Sequence, residues 1–338
     1  MATVPVISSH VLEGLPAFVR NEIGERALKQ ANRAAGFDVE LIEGRNCFIP
    51  QQAVADFVDA VGKAAGEPNL GLLIAPAMDA GAYGSFGRYV FGAGTLGQAI
   101  KRSIAALPYH STDDTLSVAT VAGEVRYSYA SSLAGAKEYA AVASAAAGEL
   151  LSLFRAYLPE NWRPLRIELD IETPHQAALF EDVFQCPVLF NAPAVTIVAE
   201  RRHLTTALKG PSPPIVTLED VARDRPGGAP QSLLGVAVER IRTQVLAGDV
   251  AIDDIARSID TSVRTLQREL HNAGTDFRRL TTAVRVQRAT ELLHHTCGSV
   301  TDISAELGYS SSANFARAFR KATGLAPREF RAKKQRGG

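Results

Sequence analysis

The sequence predicts a mainly α protein in two parts. Residues 1–208 read as an α+β domain, 209–232 as a linker, and 233–338 as an all-α domain in which two helix-turn-helix units are joined by a long helix. Three observations predict this division. Apolar residues recur at helical spacing in two matching runs, IDDIARSIDTSVRTLQREL from Ile252 and VTDISAELGYSSSANFARAF from Val300. Thr115–Val121 and Val125–Tyr129 alternate apolar and polar residues around Ala-Gly-Glu, the pattern of a hairpin. Proline and glycine cluster in Lys209-Gly-Pro-Ser-Pro-Pro and Arg225-Pro-Gly-Gly-Ala-Pro, around a short segment from Ile215 to Ala222.

In chain order, Ser9 is placed to cap a helix over His10–Phe18, Asn21 to cap one over Glu22–Ala35, and Gly36 to stop it. Pro50 opens a helix through Val54, Phe57, Val58 and Val61 that ends near Gly66, its apolar stripe a packing face. Gly92, Gly94 and Gly97 match GxGxxG literally, but a dinucleotide fingerprint needs a parallel βαβ unit around it. The preceding YGSFGRYVF is a poor parallel strand and a hairpin follows. Gly92 is therefore expected to end one helix and Thr95 to cap the next, Gln98 to Leu107. An alanine-rich helix is expected from about Leu133 to Tyr157, with Ala136 to Leu158 open to core packing or a dimer interface. A strand at Leu165–Ile171, a helix at Pro174–Phe184 and a strand at Val195–Ala199 complete an α+β order. Leu233–Leu246 is an amphipathic helix that opens the C-terminal domain.

In the two matching runs, about 252–272 and 300–323, Ile255 corresponds to Ile303 and Ile259 to Leu307 at one offset. Leu266 corresponds to Phe315 and Leu270 to Phe319 at an offset one residue longer, the slip falling in the turn between helices. On a 3.6-residue wheel, Leu266 and Leu270 define a buried stripe. Arg264 and Arg268 point away from it, flanked by Gln267 and His271. In the second copy Phe315, Phe319 and Ala322 form the stripe, and Arg317 lies opposite, flanked by Ala313 and Arg320. Arginine pairs with guanine O6 and N7, and glutamine with adenine N6 and N7. One helix with outward arginines is an ordinary solvated face; two copies matched in register favour base readout. The connecting helix, roughly Phe277–His295, would span about 28 Å at 1.5 Å per residue. Adjacent major-groove faces recur about every 34 Å.

The net charge of zero hides an asymmetry. Residues 235–338 carry 17 Lys and Arg against 11 Asp and Glu, and the rest of the chain 19 against 25. A basic C-terminal block suits a polyanion. The tail from Arg331 to Gly338 is placed to touch phosphate without reading bases. Cys47, Cys186 and Cys297 are far apart, with no CxxC pair or zinc spacing, and are expected as buried reduced thiols. The start lacks a signal-peptide pattern and no 18-residue apolar run occurs, so no membrane partner and a cytoplasmic location are expected. GxSxG, HExxH and P-loop motifs are absent. Asp113-Asp114 and Glu181-Asp182 are sequence neighbours that face different ways, whereas Asp253-Asp254 fits the first turn of a helix. His110 and His175 are isolated, and Arg88, Lys101 and Arg102 read as a solvated face. No cofactor and no metal site are expected.

The C-terminal residues resemble a known family. Val250–Arg331 is similar to the DNA-binding domain of the AraC/XylS family of bacterial transcription regulators, through IDDIARSIDTSVRTLQREL, the connecting Arg285, Ala289, Leu292 and Leu293, and GYSSSANFARAFRKATGLAPREFR. The resemblance implies base reading by Arg264, Gln267 and Arg268 in the first copy, and by Ser312, Ala313, Ala316 and Arg317 in the second. Alanine touches a thymine methyl but neither donates nor accepts, so the first copy is expected to carry more of the hydrogen-bonded readout. Asp260-Thr261 stands where the family's turn has glycine. More loosely, Ile167–Leu208, with its run Phe180–Phe190, resembles the N-terminal effector domain often called arabinose-binding. It identifies no ligand.

These readings imply a sequence-specific transcription regulator whose partners are double-stranded DNA, a small-molecule effector, RNA polymerase and a second copy of the chain. Two other readings stay open: a small-molecule enzyme with a DNA-binding appendage, and a nucleoid-type binder with little sequence preference.

Overall fold

The computed structural model describes residues 4–43, 45–209, 215–225, 227–248, 250–295 and 298–335. β1 (Val6–Ser8) leads through a 3-10 turn to α1 (Leu15–Phe18), a π turn, α2 (Glu25–Ala35), α3 (Val39–Ile42) and β2 (Phe48–Pro50). Next come α4 (Gln51–Ala65), α5 (Leu70–Ile74), α6 (Gly84–Phe91), α7 (Leu96–Ala106) and the hairpin β3 (Thr115–Val121) and β4 (Glu124–Ala130). α8 (Tyr139–Tyr157), β5 (Arg166–Glu168), α9 (Ala177–Phe184), β6 (Val188–Leu189), β7 (Val195–Glu200) and α10 (Leu218–Asp224) follow. The remainder is helical: α11 (Leu233–Ala247), α12 (Ile252–Ser258), α13 (Val263–Asn272), α14 (Phe277–His295), α15 (Val300–Glu306), α16 (Ser312–Thr323) and α17 (Pro327–Gln335).

The elements group into two compact units. One comprises Pro5–Ala35 and Glu43–Pro230; the other takes Gly36–Ile42 together with the chain from Gln231 onward. In the first, a five-stranded sheet has the order β3-β4-β7-β5-β6, antiparallel except for the β5–β6 pair. One sheet face buries Val125, Tyr127, Ile167 and Ile197 against Ala147, Leu151 and Phe154 of α8. The other face is polar. Arg126 and Arg166 flank Val198 in register, and both guanidinium groups hold the buried Glu168 carboxylate. Arg166 also forks onto Glu124 at 2.9 and 3.0 Å, which ties β4 to β5 across β7. α8 approaches α5 and the turn after it closely: a Cβ on Gly71 would lie 2.1 Å from the Ala141 carbonyl oxygen.

Several local expectations are corrected. The helix expected over His10–Phe18 is broken, because Gly14 turns left-handed at φ 77° before α1 starts at Leu15. Ser8, not Ser9, accepts from the His10 amide. Asn21 lies inside a π turn, and α2 starts at Glu25 after Gly24, so Asn21 caps nothing. α8 begins at Tyr139 rather than near Leu133, since Gly135 takes φ 86° in the turns before it. That helix lies in the core, with Tyr139, Ala143, Leu151 and Phe154 buried. The strand expected at Leu165–Ile171 shortens to β5, and the helix expected from Pro174 begins at Ala177. The β1–β2 pair was not expected. Gly36, Gly66, Gly92 and Thr95 end or cap helices as read: the Thr95 hydroxyl accepts from Gln98 N–H, and an antiparallel hairpin follows, so GxGxxG has no βαβ context here. Cys47 and Cys186 are buried and form no disulfide; Cys297 lies outside the described residues.

The stretch read as a linker is partly structured. Thr217 and Asp220 form a reciprocal capping box that opens α10. Arg225 is buried, its Nη2 donating to Ser8 Oγ at 2.6 Å and its guanidinium lying 4.4 Å from the Phe48 ring centroid. Residues 210–214 and 226 lie outside the described residues.

In the second unit α11 packs on α3, α12, α13 and α14. Its Arg240 is fully buried, with Nε donating to Ser258 Oγ at 2.9 Å and Nη2 to the Gly36 carbonyl at 2.7 Å. α14 buries Val284, Val286, Ala289, Leu292 and Leu293. It also packs against α15, α16 and α17, whereas the first pair, α12 and α13, packs on α11.

Candidate nucleic-acid interface and N-terminal cavity

Each helix pair is built by local chemistry. Asp253 and Asp254 sit in the first turn of α12, where the helix N-terminus favours negative charge. The Ser262 hydroxyl accepts from Thr265 N–H and starts α13; Ser311 does the same for Asn314 at the start of α16. Ser299 and Asp302 form a capping box at α15, and those hydrogen bonds hold the Asp302 carboxyl below its usual range.

α13 buries Leu266 and Leu270 and exposes Arg264, Gln267 and Arg268 on one face. Arg268 Nε lies 3.6 Å from Glu269, an exposed pair that holds the side chain weakly. α16 buries Phe315 and Phe319, whose rings meet at a tilt, and Phe319 meets the Phe330 ring edge-on. It exposes Ser312, Ala313, Arg317 and Arg320, with Ala316 half-buried. Ala322 is exposed rather than part of the stripe, because Thr323 turns inward there and its hydroxyl bonds the Phe319 carbonyl. Arg317 Nη2 donates to Asn314 Oδ1 at 2.5 Å, which extends the guanidinium along the helix surface.

Between α14 and α16 opens a cleft of about 670 Å³ lined by Arg278, Arg285, Arg317, Thr281 and Asn314, with no carboxylate in its wall. Sequence reasoning missed this concavity because its arginines come from two helices. Arg285 lies 5.3 Å from the centroid of the Tyr309 ring, so it braces the second turn. The lining donates hydrogen bonds and attracts anions, as a phosphate backbone requires.

The first unit contains a largely apolar cavity of about 210 Å³, walled by Val11, Leu12, Val54, Val58, Met78 and Val142 among others. Glu149 of α8 lines it and also a smaller adjoining space of about 70 Å³. Glu149 Oε1 accepts from the Tyr83 hydroxyl at 2.6 Å. Burial raises its carboxyl to about 7; the Tyr83 bond opposes this and the Asp114 charge adds to it. His110, stacked on Tyr83 and Phe86, is driven down to about 3 by burial, with the Arg225 and His10 charges adding to it. Nothing in the sequence marked the cavity except that Glu149 is the lone acid of α8. Among the described residues no group of three or more His, Cys, Asp or Glu could hold a metal, and no helix is long and apolar enough to cross a membrane.

Two helix-turn-helix pairs whose second helices open on a serine cap and expose arginine, set in a basic unit, define a DNA-binding transcription regulator. The chain belongs to the AraC family: the family model for the arabinose-binding domain of AraC transcription regulator, N-term, matches residues 27–208, and a helix-turn-helix domain model matches residues 237–333. It is 26% identical over 336 residues to the ornithine utilization regulator of Pseudomonas aeruginosa, covering 97% of this chain and 96% of that protein. It is 36% identical over 86 residues to the transcriptional activator RhaS of Escherichia coli, covering 25% of this chain and 31% of that one. Among solved structures it is similar to the transcriptional regulator CdpR of Pseudomonas aeruginosa, at 21% identity and TM-score 0.40, over 91% of this chain and 97% of that one. As an AraC-type regulator, its partner is double-stranded DNA.

Proposed function

We propose that this regulator reads its operator through Arg264, Gln267 and Arg268 of α13 and through Ser312, Ala313, Ala316, Arg317 and Arg320 of α16. The carrying observation is that both helices bury one stripe and expose arginine on the opposite face. The cleft arginines take phosphate, and the N-terminal unit senses a small molecule whose binding changes which half-sites are held together. Contact with RNA polymerase converts occupancy into transcription. The test is site selection from random duplexes, followed by footprinting and reconstituted transcription with and without effector. A ratio of selected-site to nonspecific affinity near one, at fixed salt, sinks the sequence-specific reading.

We further propose that two copies pair through the outer edge of β3. This seven-residue edge strand holds no charge and no proline, and Val118 and Val121 are exposed. Natural edges are usually blunted by such residues, and an unblunted one suits antiparallel pairing about a two-fold axis. Val118→Lys should convert a dimer to monomer in light scattering; an unchanged dimer rejects this edge.

A further inference from the structure

Of the Gln51, Tyr129 and Glu149 side chains that border the N-terminal cavity, Glu149 alone keeps an oxygen that no hydrogen bond from the described residues reaches. Gln51 borders it, but its Nε2 already donates to the Thr112 carbonyl at 3.1 Å and to Asp114 at 2.9 Å, and its Oε1 accepts from Ser132. The Tyr129 hydroxyl is engaged by Asp114 at 3.0 Å. Glu149 differs: Tyr83 bonds Oε1, and no hydrogen bond from the described residues reaches Oε2. Glu149 is half-buried and lines this partly open pocket. The cavity therefore presents an acceptor and asks for a donor.

Its electrostatics narrow the choice. No Lys, Arg or His lines the larger space, whereas Glu13 and Glu149 do, and Asp114 borders the smaller one. A carboxylate or phosphate ligand would be desolvated against like charge. A sugar would bury several hydroxyls against aliphatic walls with no partner for most of them. A volume of about 210 Å³ exceeds the ~150 Å³ of an apolar cavity that admits benzene, which leaves room for a ring or short branched chain with one head group.

We infer, resting on the effector-sensing reading above, that this cavity binds a small apolar amine whose ammonium group is held by the Glu149 carboxylate. The empty site avoids an unpaired buried charge because burial favours the protonated acid; the amine ionises it and the proton leaves to solvent. Four neighbouring side chains do not supply that proton at pH 6. Tyr83, Tyr127 and Tyr129 are pushed further from ionisation by burial, and His110 is already neutral.

The test uses the full-length protein and four probes in titration calorimetry: 2-phenylethylamine, 2-phenylethanol, 3-phenylpropionate and ethylbenzene. The amine should bind at least tenfold more tightly than the acid or the hydrocarbon. At pH 6 its heat should vary with buffer ionisation, reporting proton release from Glu149. Glu149→Gln should weaken the amine at least tenfold while changing ethylbenzene less than twofold, and Ala145→Phe, which fills the wall, should abolish both. If Glu149→Gln does not fold, the buffer dependence in the unsubstituted protein decides. Equal binding of acid and amine, a buffer-independent heat, or an amine affinity unmoved by Glu149→Gln overturns the inference. If no probe binds but another metabolite raises the melting temperature and shifts operator affinity, the amine assignment fails and sensing stands. If no compound in a broad metabolite panel does so, both fail.

Discussion

Asp260 and Gly308 hold the same turn position in the two helix-turn-helix copies, and both take the left-handed conformation, at φ 47° and 69°. The hydrogen bonds match: Asp260 N–H donates to Arg257 and Thr261 N–H to Ala256, as Gly308 does to Ala305 and Tyr309 to Ser304. The surroundings differ. A Cβ on Gly308 would stand 2.5 Å from the Gly248 carbonyl oxygen and 3.2 Å from Arg285, which neither can relieve while Arg285 stacks on Tyr309. Asp260 accepts a strained backbone, since a short polar side chain is among the few that visit this region. Left-handed strain of about 1–2 kcal/mol, less about 0.4–1 kcal/mol of added unfolded-state entropy, leaves Asp260→Gly stabilising by about 0.5–1 kcal/mol. Gly308→Ala should destabilise by more than about 2 kcal/mol, because strain and backbone overlap add. Urea unfolding of both variants checks the opposite signs; a stabilised Gly308→Ala would contradict the packing.

The first copy should make more hydrogen-bonded base contacts than the second. α13 offers Arg264, Gln267 and Arg268 as hydrogen-bonding groups, whereas α16 offers Arg317 among alanines and serine. Arg268→Ala is expected to weaken the selected operator by about 1–3 kcal/mol and to relax specificity at its own base position. Arg317→Ala should do the same in the other half of the site. Arg278→Ala, in the cleft, should weaken all duplexes alike and reduce the salt slope by about one. Anisotropy titrations over a salt series separate the two behaviours, and uniform losses for Arg268→Ala would mark it as a phosphate contact instead.

The C-terminal helices were legible because both periodicity and caps are local: Ser262, Ser299 and Ser311 each begin a helix within three residues of what they bond. The alternation in β3 and β4 was legible for the same reason. What the sequence hid is non-local. Ser8 meets Arg225, and Gly36 meets Arg240, across separations that no periodicity reports. Gly14 and Gly24 broke two expected helices because a glycine's sign of φ depends on where the chain must go next. The cavity is the extreme case, since α4, α8 and the first residues of the chain each give only part of its wall.

Arg240 should be a structural keystone of the second unit. Removing its side chain leaves the Gly36 carbonyl and Ser258 hydroxyl without these partners in a water-poor interior and opens a void beneath α11. Arg240→Ala is expected to destabilise by about 2–6 kcal/mol, at about 1–3 kcal/mol for each of the two buried partners left unsatisfied. Hydrogen exchange should rise in residues 36–42 and 252–258 first. If those segments stay protected while the unit unfolds at the original denaturant concentration, the buried arginine is dispensable.

Glu149 gives the first unit a pH dependence of calculable sign. Its carboxyl is raised to about 7 in the folded chain, from 4.5, so folding binds the proton more tightly than unfolding does. That contribution is full below pH 4.5 and is lost as pH rises through 7. At 1.36 kcal/mol per unit the ceiling is about 3 kcal/mol, and the accessible surface facing the cavity reduces the expectation to about 2 kcal/mol. His110 works the other way: lowered from 6.5 to about 3, it contributes stability above pH 6.5 that is lost on acidification. The unsubstituted protein therefore shows the sum of two opposed slopes between pH 4.5 and 7. Glu149→Gln keeps an acceptor for Tyr83 and removes one slope, so subtracting its unfolding free energy isolates the carboxyl. The difference should shift against the unsubstituted protein by about 2 kcal/mol from pH 4.5 to 8. A flat difference across that window would place Glu149 in contact with water and remove the basis for its raised pKa.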